Sequence, residues 1–95
     1  MFLIRSSNAV SFGRVQAIVQ TRCSGCHAEN PTFAGFAAPP KGILLDTPER
    51  ILAQRLGIYQ QTVVSRAMPP GNLTEMTDAE RVVIDAWFRS GRGDR

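Results

Sequence analysis

The apolar residues of this chain recur at three- and four-residue intervals, and no stretch of useful length alternates between apolar and polar positions. The first such run places Val15, Ile18 and Val19 on one face. This spacing predicts a helix over about residues 12–22, with Ser11 as its N-cap. An amphipathic helix is therefore the first element that we expect.

A second helix is predicted to begin within residues 46–49. Thr47 is its N-cap, a proline takes the first helical position and an acid lies in the first turn. It continues to about Arg66, with Gly57 as a candidate bend. Its expected buried face consists of Leu52, Leu56, Tyr59 and Val63. The preceding segment, residues 28–45, is broken by proline and glycine yet rich in large apolar side chains. We therefore expect a loop that packs on a flat apolar surface.

A third helix begins at a capping box formed by Thr77 and Glu80, and we expect it to end at Gly91. Its inner side carries Val83, Ile84, Trp87 and Phe88. These runs predict an all-α domain of three to four helices. The expected boundaries are a linker over residues 1–10, the domain over 11–91 and a frayed tail over 92–95.

Composition limits the partners that this chain takes. Its 95 residues form one small domain, and a domain of this size buries only about two-thirds of its unfolded surface. The 11 basic residues exceed the 8 acidic ones, but they are spread along the chain without a basic and aromatic stripe. We therefore expect no nucleic-acid partner. No stretch is long enough to span a bilayer, so we expect no membrane insertion by this segment.

The two cysteines and the single histidine of the chain all lie within residues 23–27, as Cys-Ser-Gly-Cys-His. This is the spacing of the attachment site for a c-type haem. Each thiol adds to one vinyl group of the haem, and the spacing of three puts both sulfurs on one side of a helical turn. The imidazole of His27 becomes an axial ligand of the iron. The sequence thus predicts one covalent haem c, attached through Cys23 and Cys26.

Three other interpretations of this motif are weaker. A thioredoxin-like redox pair belongs near a βαβ pattern, which this chain lacks. A structural zinc site needs a fourth ligand, and no further cysteine or histidine remains. A disulfide between Cys23 and Cys26 would be strained, and it would leave His27 unexplained.

The order of helices and loops around the motif resembles a small class I cytochrome c. With no second histidine, methionine is the natural second axial ligand, and a His/Met pair raises the reduction potential. We predict that Met68 takes this role, because Pro69 ends the preceding helix and stiffens the loop. Met76 and an open or water-bound position are the alternatives. Either methionine would otherwise fill core space, which is its commonest role.

The second nitrogen of His27 needs an acceptor that fixes its tautomer. Cytochromes of this type take it from a prolyl carbonyl in the loop after the motif, so Pro39 is the predicted partner and Pro40 the next candidate. This prolyl pair would alternatively serve only to stiffen the loop. Three basic residues are candidates to pair with haem propionates, although solvated surface positions are the alternative for each: Arg22, Lys41 and Arg66.

Several segments together resemble one family, the C-terminal cytochrome c domain of bacterial membrane-bound urate oxidase, also called urate hydroxylase. They are residues 23–33, 36–42, 45–51, 58–64, 68–72 and 76–81. His27 and Met68 match the family's haem ligands, and Cys23 and Cys26 match its attachment residues. The resemblance implies a domain that follows membrane helices and faces the periplasm. It also implies electron transfer from the membrane-bound urate oxidase portion to a respiratory cytochrome or oxidase. The membrane portion is absent here, so no urate-binding residue is carried over.

Haem is attached to such motifs outside the cytoplasm, so we expect this chain to be a domain of a larger exported protein or a mature form without its leader. The leading functional hypothesis is one-electron transfer, with no substrate chemistry in this domain itself. A free periplasmic electron shuttle is the first alternative. An open-site haem peroxidase or sensor is the second, and it is weaker because no distal histidine is available.

Overall fold

Four α-helices form the framework of the described chain, which is residues 11–32, 35 and 37–90 of a computed structural model. They are α1 (Phe12–Arg22), α2 (Pro48–Ala53), α3 (Arg55–Tyr59) and α4 (Asp78–Arg89). A π-helical turn, Gln60–Val64, follows α3, and short 3-10 turns occur at Pro40–Gly42 and Pro70–Asn72. The described residues contain no β-strand, in agreement with the all-α prediction. The predicted linker, the predicted stop at Gly91 and the frayed tail lie outside the described residues.

Both terminal helices begin where local capping chemistry predicts. The hydroxyl of Ser11 accepts a hydrogen bond from the Arg14 amide at 3.4 Å. At the start of α4, the Thr77 hydroxyl accepts from the Glu80 amide, and the Glu80 carboxylate accepts from the Thr77 amide. The helices then pack against each other, with the rings of Phe12 and Trp87 6.1 Å apart. This contact joins the two ends of the described chain.

The middle helix differs from its prediction. It begins behind Thr47 as expected, but it ends at Gln54, which has φ −102° and ψ 22°, rather than bending at Gly57. The chain restarts as α3 and then widens into the π-helical turn, where the Thr62 hydroxyl donates to the Ile58 carbonyl at 2.6 Å. This interruption rotates the side chains that follow it, so a single helical period no longer describes which residues are buried.

The predicted buried face of this segment is consequently wrong. Leu56 is 55% exposed, and Leu52, Tyr59 and Val63 are only partly buried. The buried residues are instead Ile51, Ile58 and Thr62. Of the predicted residues, Leu52 and Val63 pack at the edge of the core.

The core lies between α1, α4 and the middle segment. Its largest fully buried side chains are Phe12, Val15, Val19, Ile51, Ile84 and Trp87. Of the predicted inner residues of α4, Ile84 and Trp87 are buried, while Val83 packs at the edge and Phe88 stacks on Tyr59 with ring centroids 4.0 Å apart. No helix of the described chain is both long and apolar enough to cross a membrane.

The α1–α4 core gives a direct stability test. We expect Ile84→Ala to lower the free energy of unfolding by about 2–5 kcal/mol, because the truncation leaves a cavity in a fully buried site. Val82→Ala on the same helix is the matched control, since Val82 is 64% exposed; its effect should stay within about 0.5 kcal/mol. Chemical denaturation followed by circular dichroism measures both values. Equal effects of the two substitutions would contradict the assigned core.

Candidate functional site

The motif residues continue directly from the end of α1. The Cys23 amide donates to the Val19 carbonyl at 2.8 Å, which extends the hydrogen bonding of the helix by one residue. The amides of Cys26 and His27 then both donate to the Cys23 carbonyl, at 3.1 and 3.0 Å. This tight turn brings both sulfurs and the imidazole to the wall of one cavity.

Both cysteines are buried free thiols. Burial raises the pKa of Cys23 to about 12, and it also raises the pKa of Cys26. Both side chains are therefore neutral thiols at neutral pH. Within the described residues, no three side chains of histidine, cysteine, aspartate or glutamate form a group that would hold a metal ion.

His27 is held by one backbone carbonyl. Its Nδ1 donates to the Ile43 carbonyl at 2.9 Å, and the side chain is buried. The prediction that Pro39 supplies this acceptor is wrong. The Pro39 carbonyl accepts instead from the Gly42 amide at 3.0 Å, within a turn in which Lys41 and Gly42 both have positive φ. This turn brings the carbonyl of Ile43, four residues after Pro39, against the imidazole.

The loop after the motif is tied back to it at two further points. The Leu45 amide donates to the His27 carbonyl at 2.6 Å, and the Ser24 hydroxyl donates to the Leu45 carbonyl at 2.6 Å. These bonds place the apolar side chains of Ile43 and Leu45 on the cavity wall. Two of the apolar residues of this loop thus line an apolar cavity, and its packing on a flat apolar surface stays a prediction.

The cavity has a volume of about 440 Å³. Ligand-binding pockets in proteins typically measure about 300–1,000 Å³. Its lining combines the motif and the loop that follows it with residues of α3, the π-helical turn and the segment after it. The apolar lining residues outside the motif are Ile43, Leu45, Gly57, Ile58, Met68, Pro69, Pro70 and Leu73.

The two candidate methionines occupy different environments. Met68 lines the cavity together with His27, and it is only partly buried. Met76 is 3% exposed and belongs to the hydrophobic core, away from the cavity lining. Its amide is bound by the side chain of Asn72 at 3.0 Å. The structure therefore brings Met68 and not Met76 to the same cavity as the motif.

Arg22 adds a charged group to the cavity wall. Its guanidinium binds the Glu80 carboxylate at 2.9 and 3.2 Å and the Thr74 carbonyl at 2.6 Å. The Thr74 hydroxyl returns a bond to the Arg22 carbonyl at 2.7 Å. These hydrogen bonds connect the end of α1 to α4 and to the segment that follows Met68.

The other two candidate propionate partners differ from Arg22. Arg66 is exposed and pairs with Asp78 at 2.7 Å. It therefore takes the surface position that was the alternative to pairing with a propionate. Lys41 is exposed at the rim of the cavity. Of the three candidate propionate partners, Arg22 and Lys41 therefore line the cavity and Arg66 does not.

Three features of the site were not predicted from the sequence. The Ile43 carbonyl carries no side-chain signal, and the bracing role of Asn72 depends on its left-handed backbone at φ 51°. Arg81 is buried and donates to the Met68 carbonyl at 3.1 Å. A signal for Arg81 was present, because it falls three residues before Ile84 on the inner side of α4.

Comparisons of this chain with protein-family models, with curated proteins and with solved structures find no match. The resemblance to the urate oxidase cytochrome domain therefore rests on the sequence segments alone.

The Arg22–Glu80 pair makes a pH-dependent contribution to stability. The hydrogen bonds that the Glu80 carboxylate accepts from Arg22 lower the pKa of Glu80 from its ordinary value of 4.5. The carboxylate therefore stabilises the fold above that pH, and its contribution is lost as the pH falls below it. We expect Glu80→Gln, which preserves the capping box, to lower the free energy of unfolding at pH 7 by about 1 kcal/mol.

Urea denaturation of both proteins between pH 7 and pH 3 measures this contribution, and the difference should shrink toward zero at the acid end. Glu75→Gln is the control, because Glu75 is exposed and acts on Arg22 only through its charge. A difference between wild type and Glu80→Gln that is constant with pH would contradict the assigned pair.

Proposed function

We propose that the cavity holds one covalent haem c and that this domain transfers single electrons. The observation that carries the proposal is the convergence of Cys23, Cys26, His27 and Met68 on one apolar cavity. Such a lining suits a flat apolar ring, and both thiols that would attach it belong to residues of the same lining. The small size of the domain supports the same conclusion, because a ring that fills the cavity would complete the core.

Each residue has a defined task in this proposal. Cys23 and Cys26 would form thioether bonds, with each thiol adding across one vinyl group. The Ile43 carbonyl holds the proton of His27 on Nδ1, which leaves Nε2 as the nitrogen with a lone pair for the iron. Met68 would supply the second axial ligand. A bound haem would supply the one-electron couple between ferrous and ferric iron.

The apolar lining would tune this couple through burial and ligand choice. Apolar walls exclude water from the iron, and thioether ligation favours the reduced form, so both raise the reduction potential. Apart from Arg22 and Lys41, the cavity lining carries only neutral side chains in addition to the motif. We therefore propose a relatively high-potential electron carrier rather than an enzyme with its own substrate.

The place of this carrier in metabolism is a finer proposal that rests on the sequence resemblance. We propose that it relays electrons on the periplasmic side of the bacterial inner membrane. The donor would be a membrane-bound urate oxidase portion, and the acceptor a respiratory cytochrome or oxidase. The alternative is a free periplasmic shuttle. The gene distinguishes them, because a reading frame with several upstream hydrophobic spans supports the tethered form and an ordinary leader supports the shuttle.

The ligand assignment is tested with two matched methionine variants of the haem-loaded protein. We expect Met68→Leu to abolish the far-red absorption band that a methionine sulfur gives with ferric iron, and to lower the reduction potential. Met76→Leu nearly conserves volume in the core, so it should keep both the band and the potential. Absorption spectra and redox titration of the three proteins measure these properties.

Each other outcome has a definite meaning. A band that survives in Met68→Leu would contradict the assignment, and its loss only in Met76→Leu would transfer the ligand role to Met76. Rapid carbon monoxide binding by the reduced wild type would favour an open-site haem protein over an electron carrier.

A further inference from the structure

Arg81 is the only buried arginine of the described chain, and it does not line the cavity. It is 8% exposed on the inner side of α4. Its Nη1 donates to the carbonyl of Thr62 and, at 3.1 Å, to the carbonyl of Met68. Its Nη2 donates to Oδ1 of Asn72 at 3.3 Å. The side chain of Arg81 thus links three parts of the chain to α4. They are the π-helical turn, Met68 at the cavity and the turn that contains Asn72.

None of these acceptors is charged. Arg81 has no salt bridge with a carboxylate of the described residues. Burying a cation without a counter-ion is unfavourable unless its donors are satisfied, so these three hydrogen bonds are what stabilises the guanidinium in this position. The planar fork of arginine reaches several carbonyls at once, which the single ammonium of lysine does not reproduce.

The segment that Arg81 holds is also tied at both ends, because the Met68 amide donates to the Gln61 carbonyl at 2.9 Å and Thr74 exchanges hydrogen bonds with Arg22. Between Met68 and Met76, the backbone takes positive φ at Gly71, Asn72 and Glu75. The Asn72 side chain closes this turn, with its Oδ1 accepting from the Met76 amide at 3.0 Å and its Nδ2 donating to the Met76 carbonyl at 3.1 Å. Arg81 binds the same Oδ1 atom. Asn72 thus connects the end of the turn at Met76 with the guanidinium of Arg81.

We propose that Arg81 is a positioning residue that holds the Met68 loop against the cavity and so keeps the methionine available to the iron. This inference rests on the proposed function, since it assigns Arg81 a role in ligation by Met68. Arg81 acts through the backbone of Met68 and does not contact the cavity itself. Its loss would release the ligand loop before it unfolds the domain.

Arg81→Lys and Arg81→Met separate the geometry of the guanidinium from its charge. Arg89→Met is the matched control on α4, because Arg89 is 69% exposed and pairs only with Asp85. The far-red band of the ferric haem-loaded proteins reports methionine ligation during heating, while circular dichroism reports unfolding. In the wild type and in Arg89→Met, we expect both signals to disappear together.

In Arg81→Lys and Arg81→Met, we expect the band to disappear well before the helical signal, and the reduced proteins to bind carbon monoxide at least tenfold faster than the wild type. Band loss that coincides with unfolding in both variants would overturn the proposal and leave Arg81 a purely structural residue. A wild-type band in Arg81→Lys together with early loss in Arg81→Met would also overturn it, because charge alone would then suffice.

Asn72→Gly keeps the proposal testable if the Arg81 variants fail to fold. Glycine adopts the left-handed backbone of Asn72 freely, so this variant removes only the side chain that Arg81 and Met76 share. We expect its band to be lost before unfolding as well, and a wild-type profile would contradict the proposal. Absence of the band from the wild type itself would instead refute ligation by Met68, which is a failure of the proposed function.

Discussion

The turn over residues 23–27 is the constraint on which the rest of this site depends. It continues the hydrogen bonding of α1, so the packing of that helix against α4 determines where the two thiols and the imidazole lie. The loop that follows is then bound to the same turn through Ile43 and Leu45. A stable helix pair thus sets one wall of the cavity, and a hydrogen-bonded loop completes it.

The part of the lining around Met68 is held by arginines that join distant parts of the chain. Arg22 connects the end of α1 with Glu80 and Thr74, and Arg81 connects α4 with the backbone around Met68. Both interactions act on the segment between the π-helical turn and α4, which has little regular structure. The candidate ligand therefore lies on a loop whose position is fixed by side chains of the two terminal helices.

Sequence reasoning succeeded where the signal was local. The caps at Ser11, Thr47 and Thr77 depend on contacts within three residues, and each is found as predicted. The prediction of the buried face of the middle segment failed because the break at Gln54 and the π-helical turn change the helical period. The helical spacing around Leu56 carries no trace of either change.

The candidate site shows the same division. The spacing of Cys23 and Cys26 predicted both sulfurs on one side of a helical turn, and both residues line the same cavity as His27. The histidine acceptor was misassigned to Pro39, because a backbone carbonyl is positioned by the fold of its loop and not by residue type. The helical spacing did carry a signal for the burial of Arg81, but its partners are mostly carbonyls, and no sequence pattern reveals those.

The central claim is that Cys23 and Cys26 attach one haem in this cavity. Intact-mass measurement of the chain, exported to a bacterial periplasm with its haem-attachment machinery and then denatured, tests it most directly. The account predicts a mass increase of one haem that survives denaturation and disappears in the Cys23→Ser, Cys26→Ser double variant. An exported, folded protein with the mass of the bare polypeptide would contradict it.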